Sequence, residues 1–282
     1  MSKVTIVTDS TAYIPKDLCT RYDIQVVPQV LIWGNETYAD GVDIYPDEYY
    51  RRLSSAKIMP STSQVSPTTF ETMFQKLLNE DHEILAILVS EKLSGTIASA
   101  VQAKQNMPAA PIEIVDSYSV AMAMGFIALK CAKAANQGAS LIECKELAEQ
   151  ARLHTGVVFA VETLEFLHRG GRIGGAARLL GTALNLKPIL EVRNGRVEAV
   201  ERVRTRKKSV ARLIEIIEEQ TAGKQPVRLA TLHANAHTEA LELLEQAKDR
   251  IGGLEHILSE VSPVVGTHAG PGTLGLAYLT GY

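Results

Sequence analysis

The sequence is poor in cysteine and has no cysteines in a metal-binding spacing. Its three cysteines, Cys19, Cys131 and Cys144, are far apart along the chain, and no CxxC motif occurs. An odd number of scattered cysteines does not build the disulfide framework that small secreted domains use. We therefore expect a protein of a reducing compartment that has no cysteine-based metal site.

Long apolar runs and an excess of positive charge are also missing. The longest uncharged apolar run, 120–129, is far shorter than the roughly 20 residues that a spanning helix needs. The first residues reach Asp9 after a short apolar run, which is not the pattern of a signal peptide. The formal net charge is −3, so no basic footprint for nucleic acid is present. We expect a cytoplasmic protein with no nucleic-acid partner and no stable membrane insertion.

The remaining composition is that of an ordinary globular protein. Hydrophobic residues make up 46% of the 282 positions and charged residues 22%. This length favours two domains or one large one, with enough apolar material for a core that needs no disulfide or metal. The function must therefore be sought in local patterns.

The first half of the chain alternates strand-like and helix-like segments. Short β-branched or apolar runs predict strands at 4–8, 24–33, 84–90 and 112–117, with Pro28 interrupting the second run. Segments 15–22, 93–106 and 120–137 read as helices. This alternation predicts an open, mostly parallel sheet flanked by helices.

The second half has a different pattern. Asn194-Gly195 stands between two extended runs, which is a strong hairpin signal. Segments 156–164, 227–234 and 255–266 read as strands, and 208–220 and 238–250 read as amphipathic helices. We predict an α/β fold of two domains, 1–155 with a mostly parallel sheet and 156–282 with a mixed or antiparallel sheet, and a ligand between them.

Two segments are rich in hydroxyl groups. In MPSTSQVSPTTF, 59–70, Ser66-Pro67 reads as a helix cap, whereas Thr62 and its neighbours are either solvated turn residues or ligand hydroxyls. In the second segment, Ser94-Gly95-Thr96 opens a helix after a buried strand. Ser94 is a good cap there, Gly95 permits close approach to the backbone, and the first amides of a helix favour an anion.

Other patterns are weaker. Segments 6–11 and 114–119 both end a strand with Asp-Ser, which places Ser117 where α/β sheets bind ligands. Segment 266–275 matches GxGxxG, but too few residues follow for a dinucleotide-binding helix, so we interpret it as a loop that brings His268 near a ligand or holds it structurally. His233 and His237 have HxxxH spacing without a third ligand, so no metal site is predicted.

Two basic segments complete the set of motifs. Segment 168–178 carries arginines beside glycine pairs, which suits an anion, an acidic partner or a flexible loop. In segment 202–208, alternating Arg202, Arg204 and Arg206 would share one face of a strand, and a solvated face is the default interpretation. No aromatic residues interleave with these arginines as nucleic-acid stacking would require.

Taken together, the order and spacing of these motifs resemble the DegV family of bacterial fatty-acid-binding proteins. The similarity runs along nearly the whole chain through VTDST, STSQVSP, LSGT, VDS, LHRGGRIG, the RVRTRKK stretch and THAGPGTLG. It implies two α/β domains with a long-chain fatty acid buried between or beneath them. It also implies a non-catalytic carrier in fatty acid metabolism, without a cofactor, that presents the acid to a separate fatty acid kinase subunit.

The resemblance assigns roles to particular residues. The fatty acid carboxylate would be held by Thr62 and Ser94. Candidates for the vicinity of the ligand are Gly95, Ser117 and His268. Candidates for the tail pocket are Met122, Met124 and Phe159. Candidates for groups facing the partner or its phosphate are Arg169, Arg172 and Arg202. Neither the Thr62 nor the Ser94 segment brings an arginine to the carboxylate. A carboxylate held mainly by hydroxyls would have a raised pKa.

Two other functions stay open at this point. One is an acyl hydrolase with Ser94 or Ser117 as nucleophile, for which His268 is the one base that presents itself. The other is a regulatory module that binds nucleic acid or protein through 202–208.

Overall fold

The structure, a computed structural model, describes residues 3–181 and 186–282. The strands are β1 (Lys3–Asp9), β2 (Gln25–Val27), β3 (Val30–Trp33), β4 (Glu36–Ala39), β5 (Ser61–Ser63), β6 (His82–Leu88), β7 (Ile112–Asp116), β8 (Thr155–Ala160), β9 (Lys187–Arg193), β10 (Arg196–Val203), β11 (Val227–His233), β12 (Glu255–Glu260) and β13 (Leu274–Thr280). The helices are α1 (Lys16–Tyr22), α2 (Pro46–Leu53), α3 (Pro67–Asn79), α4 (Thr96–Gln105), α5 (Ala121–Asn136), α6 (Leu141–Ala151), α7 (Glu165–Arg169), α8 (Arg206–Thr221), α9 (His237–Ile251) and α10 (Pro263–Ala269).

A four-stranded parallel sheet forms the centre of the first half. Its strand order is β2-β1-β6-β7, and its apolar strands are covered on both faces, as a parallel sheet requires. On one face Phe70 and Phe74 of α3 pack with Ile84 of β6. On the other face Leu85 and Ile87 pack into the core cluster that contains α5. The carboxyl ends of β1, β6 and β7 thus lie along one edge.

A six-stranded sheet forms the second half. Its order is β10-β9-β8-β13-β11-β12, with β11 and β12 parallel and the other neighbours antiparallel. Leu213 of α8 and Leu243 of α9 share an apolar cluster with one face of this sheet. Val157 and Ala277, on the other face, share a cluster with α5. Helix α5 therefore lies between the two large sheets.

A small antiparallel sheet, β4-β3-β5, carries the hydroxyl-rich segment. Strand β5 pairs with β3, and α10 contacts both of these strands. This arrangement brings segment 61–63 against the C-terminal half of the chain.

These observations confirm the α/β class, with a parallel sheet followed by a mixed one. All strands of the six-stranded sheet begin at or after Thr155, whereas one apolar cluster contains residues from both halves. The division into domains 1–155 and 156–282 stays a prediction. In the described ranges no helix is both long enough and apolar enough to cross a membrane.

Two sequence interpretations of the C-terminal half were wrong. Arg202, Arg204 and Arg206 do not share a strand face, because β10 ends at Val203 and Thr205 caps a helix that begins at Arg206. Segment 255–266 is not one strand, because β12 ends at Glu260 and α10 begins at Pro263. His268 consequently lies on a helix and not on a glycine-rich loop.

Candidate functional site

A cavity with about 870 Å³ of empty space is lined by residues from both halves of the chain. Its wall is mostly apolar, and valine is the commonest residue in it. Examples are Val89, Val120, Val157, Val192 and Val264. The apolar wall is that of a typical small-molecule site. A few polar side chains interrupt the wall, and they decide what the site can hold.

Thr62 is one of these polar side chains. The extended backbone of β5 leaves Ser61 and Ser63 exposed and turns Thr62, which is partly buried, towards the protein. The Thr62 hydroxyl lies 2.8 Å from Nε2 of His268, a residue 206 positions away. Thr62 is thus not a solvated turn residue, although its role as a carboxylate ligand stays a prediction.

His268 is a neutral imidazole next to this hydroxyl. Burial, and then the charge of Arg172, lower the pKa of His268 to about 4. Its Nδ1 has no hydrogen-bond partner among the residues of 3–181 and 186–282. Since a buried N–H without an acceptor is rarer than an acceptor without a donor, the proton belongs on Nε2. In this tautomer His268 donates to Thr62 Oγ1, so the Thr62 hydroxyl keeps its own hydrogen for another acceptor.

Ser94 lines the same cavity from the turn between β6 and α4. Its hydroxyl lies 2.9 Å from the hydroxyl of Thr96. The prediction that Ser94 caps α4 was wrong, because Gly95 occupies the N-cap position and no side-chain cap bond forms there. Gly95 makes room, since a Cβ at this position would lie 3.1 Å from the side-chain amide of Gln64. Thr62 and Ser94 thus line one cavity, and their role as ligands of a carboxylate stays a prediction.

Arg172 supplies a positive charge at this site. It lines the cavity together with Thr62 and Ser94. Its Nε donates to the Leu93 carbonyl at 2.9 Å, and Nη1 donates to the Gly170 carbonyl at 2.7 Å. The prediction of a raised ligand pKa considered hydroxyl groups as the main partners of the carboxylate. A guanidinium close to the carboxylate would act in the opposite direction, because it favours the charged form. The pKa of the bound ligand stays a prediction.

A second, smaller cavity adjoins the first at this point. It has about 690 Å³ of empty space and shares Thr62, Arg172 and His268 with the large cavity. Arg169 also lines it and forms an ion pair with Glu165 one helical turn away. Two of the three arginines that were predicted to face a partner, Arg169 and Arg172, thus line this second cavity.

Several predicted residues lie elsewhere. Phe159 lines the large cavity, but Met122 and Met124 are fully buried in the core and do not. Ser117 is buried at a turn, where its hydroxyl donates to the Ser119 carbonyl at 3.2 Å. Arg202 is exposed on β10 and lines neither cavity. Apolar character on all sides of α5 could not distinguish core residues from wall residues.

Sequence reasoning also missed polar wall residues. Gln29, Gln64 and Thr273 line the large cavity. Gln64 belongs to the STSQ motif, which could have drawn attention to it. Gln29 follows a proline in an ordinary strand-like run, so no local signal marked it.

The hydrolase arrangement is not formed by these hydrogen bonds. Ser94 contacts Thr96, whereas His268 contacts Thr62. A serine nucleophile requires a base within hydrogen-bonding reach of its own hydroxyl.

In the basic segment, Arg206 is bonded to Glu239 at 3.0 Å and so does not continue a row of free arginines.

His233 and His237 have the spacing that raised the question of a metal. Their rings meet edge to face with centroids 5.5 Å apart. Within the described parts of the chain, no group of three or more histidine, cysteine, aspartate and glutamate side chains is arranged to hold a metal ion.

Comparison with known proteins gives whole-chain similarity to one family. The family model described as "Uncharacterised protein, DegV family" matches residues 3–281. A DegV domain-containing protein of Streptomyces coelicolor is 38% identical over 275 residues, which cover 97% of each chain. A solved DegV family protein from Thermus thermophilus, described as fatty acid binding, is 34% identical with a TM-score of 0.93 and covers 99% of each chain. DegV from Bacillus subtilis, described as a fatty acid binding protein, is 30% identical with a TM-score of 0.90, over 99% of this chain and 100% of that one.

Proposed function

Because this chain belongs to the DegV family, we propose that it is a non-enzymatic carrier that binds one long-chain fatty acid. Thr62 and Ser94 hold the carboxylate, and the tail lies along the apolar wall of the large cavity. The observation that carries the proposal is this cavity, whose mostly apolar lining also contains the hydroxyls of Thr62 and Ser94, the imidazole of His268 and the guanidinium of Arg172. The fatty acid binding described for the relatives from Thermus thermophilus and Bacillus subtilis supports it.

The energies expected for such a ligand divide unequally between tail and head. Burying about fifteen methylenes at about 0.8 kcal/mol each contributes roughly 12 kcal/mol before the costs of association. Each hydrogen bond to a charged carboxylate contributes about 1.5–3 kcal/mol. The tail therefore supplies most of the affinity, while the hydroxyls and Arg172 fix the orientation and discriminate between head groups.

The first test is whether the purified protein carries a lipid. Native mass spectrometry followed by denaturation and extraction should find about one long-chain fatty acid for each chain. If no lipid copurifies and added fatty acid does not bind, the carrier proposal fails and the assignment of Thr62 and Ser94 falls with it.

The second test removes the two hydroxyls. In Thr62→Val and Ser94→Ala, we expect each affinity for a fatty acid to fall about tenfold or more, because a charge-assisted hydrogen bond is lost. Binding of the fatty alcohol of equal length should change little. Thr68→Val is the matched control, since Thr68 is an exposed hydroxyl residue of the same segment that does not line the cavity. Isothermal titration with both ligands measures the effect, and equal losses for acid and alcohol would contradict it.

We also propose that the bound acid is presented to a fatty acid kinase subunit, which transfers the γ-phosphoryl group of ATP to a carboxylate oxygen and releases ADP. The smaller cavity supports this, because it meets the head-group end at Thr62 and Arg172 and carries Arg169. Such arginines suit the phosphate of an acyl phosphate product.

The check on this partner uses the loaded protein, a bacterial fatty acid kinase and ATP, with hydroxylamine to trap the acyl phosphate. Arg169→Gln should lower turnover severalfold and leave fatty acid affinity unchanged. Arg21→Gln, on the exposed surface of α1, serves as the control. Unchanged turnover in Arg169→Gln would remove Arg169 from this role.

A further inference from the structure

A buried chain of hydrogen bonds reaches Ser94 from the interior of the protein. The side-chain amide Nε2 of Gln29 donates to Thr96 Oγ1 at 2.8 Å. Thr96 Oγ1 lies 2.9 Å from Ser94 Oγ, which lines the large cavity. Gln29 is 2% exposed and Thr96 is fully buried. Gln29 also lines the cavity, whereas Thr96, which joins it to Ser94, does not.

Gln29 is held in place through its backbone on both sides. Its N–H donates to the Ser10 hydroxyl at 3.0 Å, and Ser10 in turn donates to Asp40 at 2.6 Å. The backbone N–H of Asp40 donates to the Gln29 carbonyl at 2.9 Å. These hydrogen bonds fix the backbone from which the Gln29 side chain extends.

The fully buried carboxyl group of Asp9 lies near the Gln29 side chain. Both oxygens of Asp9 act as acceptors, since Oδ1 receives the N–H and the hydroxyl of Thr11 and Oδ2 receives the N–H of Val89. Burial raises the pKa of Asp9, whereas the Gln29 side chain lowers it, which fits an amide that turns its nitrogen towards the carboxyl group. The same nitrogen donates to Thr96 Oγ1.

This orientation gives the chain of hydrogen bonds a direction, from Gln29 as donor to Ser94 as acceptor. Thr96 Oγ1 accepts from Gln29, so its single hydrogen is free to point at Ser94 Oγ. Ser94 Oγ then accepts, and its own hydrogen points into the cavity. We propose that Gln29 and Thr96 are positioning residues that turn the Ser94 hydroxyl into a donor and so make the site select a carboxylate over a neutral alcohol head group. This inference rests on the proposed binding of a fatty acid.

The selectivity follows from hydrogen-bond accounting. Thr62, whose oxygen accepts from His268, and Ser94, whose oxygen accepts from Thr96, both present hydrogens to the ligand. A carboxylate accepts through both of its oxygens and brings no hydrogen of its own. An alcohol brings one hydrogen that needs an acceptor, and leaving such a group unpaired in a buried site weakens binding.

The test measures the ratio of dissociation constants for a fatty alcohol and a fatty acid of the same chain length. Thr96→Val keeps the shape of the side chain but cannot donate to Ser94, so we expect this ratio to fall about tenfold. Thr96→Ser restores the hydroxyl and should restore the ratio. Gln29→Met removes the donor at the start of the hydrogen-bond chain and should also lower the ratio. This variant replaces Thr96→Val as the test if Thr96→Val does not fold. A general loosening of the tail pocket would change both constants together and leave the ratio alone.

The outcomes separate the two proposals. If the wild-type protein binds no fatty acid, the proposed function itself fails. If the wild-type protein binds the acid in preference to the alcohol and Gln29→Met or Thr96→Val keeps that preference, the positioning role is overturned. It is also overturned if Thr96→Ser lowers the ratio as much as Thr96→Val does.

Discussion

At the scale of single residues, the property of a side chain depends on what surrounds it. Asp40 shows this most clearly, because it is 1% exposed and accepts a hydrogen bond from Ser10 at 2.6 Å. Burial raises the pKa of Asp40 from its usual 3.8 to about 6, and the nearby charge of Asp9 adds to the effect. Hydrogen bonds from Ser10 and Ser262 act in the opposite direction. The folded protein therefore holds a proton on Asp40 more readily than the unfolded chain does.

The stability of the protein should depend on pH through this group. A raised folded-state pKa contributes stability that is present below about pH 4 and lost as pH rises through about 6. In Asp40→Asn this loss is absent. Between pH 4 and pH 7, the free energy of unfolding of the variant relative to wild type should rise by about 2–3 kcal/mol. Urea denaturation at four or five pH values measures the difference.

Other groups face Asp40 and titrate as well, which is why the difference between two proteins is the quantity to follow. Asp9, Tyr13 and Glu260 lie close, and burial raises the pKa of Glu260 to about 7. These groups are present in both proteins. Asp249→Asn, at an exposed position, controls for the loss of one surface charge. Parallel stability curves for wild type and Asp40→Asn would contradict the prediction.

At the scale of elements, helix caps set the start of helices at positions where the hydrophobic pattern of the sequence predicted a strand. Ser66-Pro67 was interpreted as a cap and first helical position, and the hydrogen bond from the Thr69 N–H to Ser66 Oγ confirms it. Ser262-Pro263 is the same signal, but it was taken as part of a strand because apolar residues surround it. Its hydroxyl accepts from the Val265 N–H and begins α10.

The consequence of that cap reaches the candidate site. A loop would leave His268 several orientations, whereas the last turn of α10 fixes it opposite Thr62. Thr205 has the same effect in the basic segment, where it accepts from the Lys208 N–H at 3.2 Å and converts a predicted strand into the start of α8. Short polar residues before an apolar or charged run thus carry more local information than the run itself.

At the scale of the whole molecule, the two halves of the chain share one large apolar cluster. Helix α5 contacts β1 of the parallel sheet and both β8 and β13 of the six-stranded sheet. The cluster around α5 includes Leu85 from the first half and Leu279 from the second. Neither sheet can expose its α5 face without opening this shared cluster.

We therefore expect a single cooperative unfolding transition. Trp33, the one tryptophan, is 4% exposed in the first half and reports on that half by fluorescence, whereas far-UV circular dichroism reports on both halves. The two urea transitions should coincide. Fatty acid at 100 times its dissociation constant should add about 2.7 kcal/mol to the free energy of unfolding.

A matched variant separates cooperativity from ligand binding. Val157→Phe fills part of the cavity from β8, so it should keep one transition but abolish most of the stabilisation by fatty acid. Val101→Phe, at a position 40% exposed on α4, should behave like wild type. A fluorescence transition at lower urea than the circular dichroism transition would show that the halves unfold separately.

Much of the fold could be predicted because its signals are local. The strands β1, β6 and β7, the helix α5 and the hairpin at Asn194-Gly195 follow from apolar runs, periodicity and one turn dipeptide. The hydroxyl-rich segments were also visible in the sequence. The sequence did not distinguish residues of the cavity wall from residues of the hydrophobic core, since Met122 and Val120 belong to the same apolar run.

The α/β class, the order of the elements and the hydroxyl groups available for a ligand follow from the amino-acid sequence, because each depends on neighbours within one turn or one strand. Which polar groups meet depends on the tertiary structure. Thr62 and His268 are 206 residues apart, Gln29 and Thr96 are 67 apart, and Arg172 lies 79 beyond the Leu93 carbonyl that it contacts. Such contacts form where separate sheets, turns and helices pack together, and a local sequence pattern carries no information about residues so far apart along the chain.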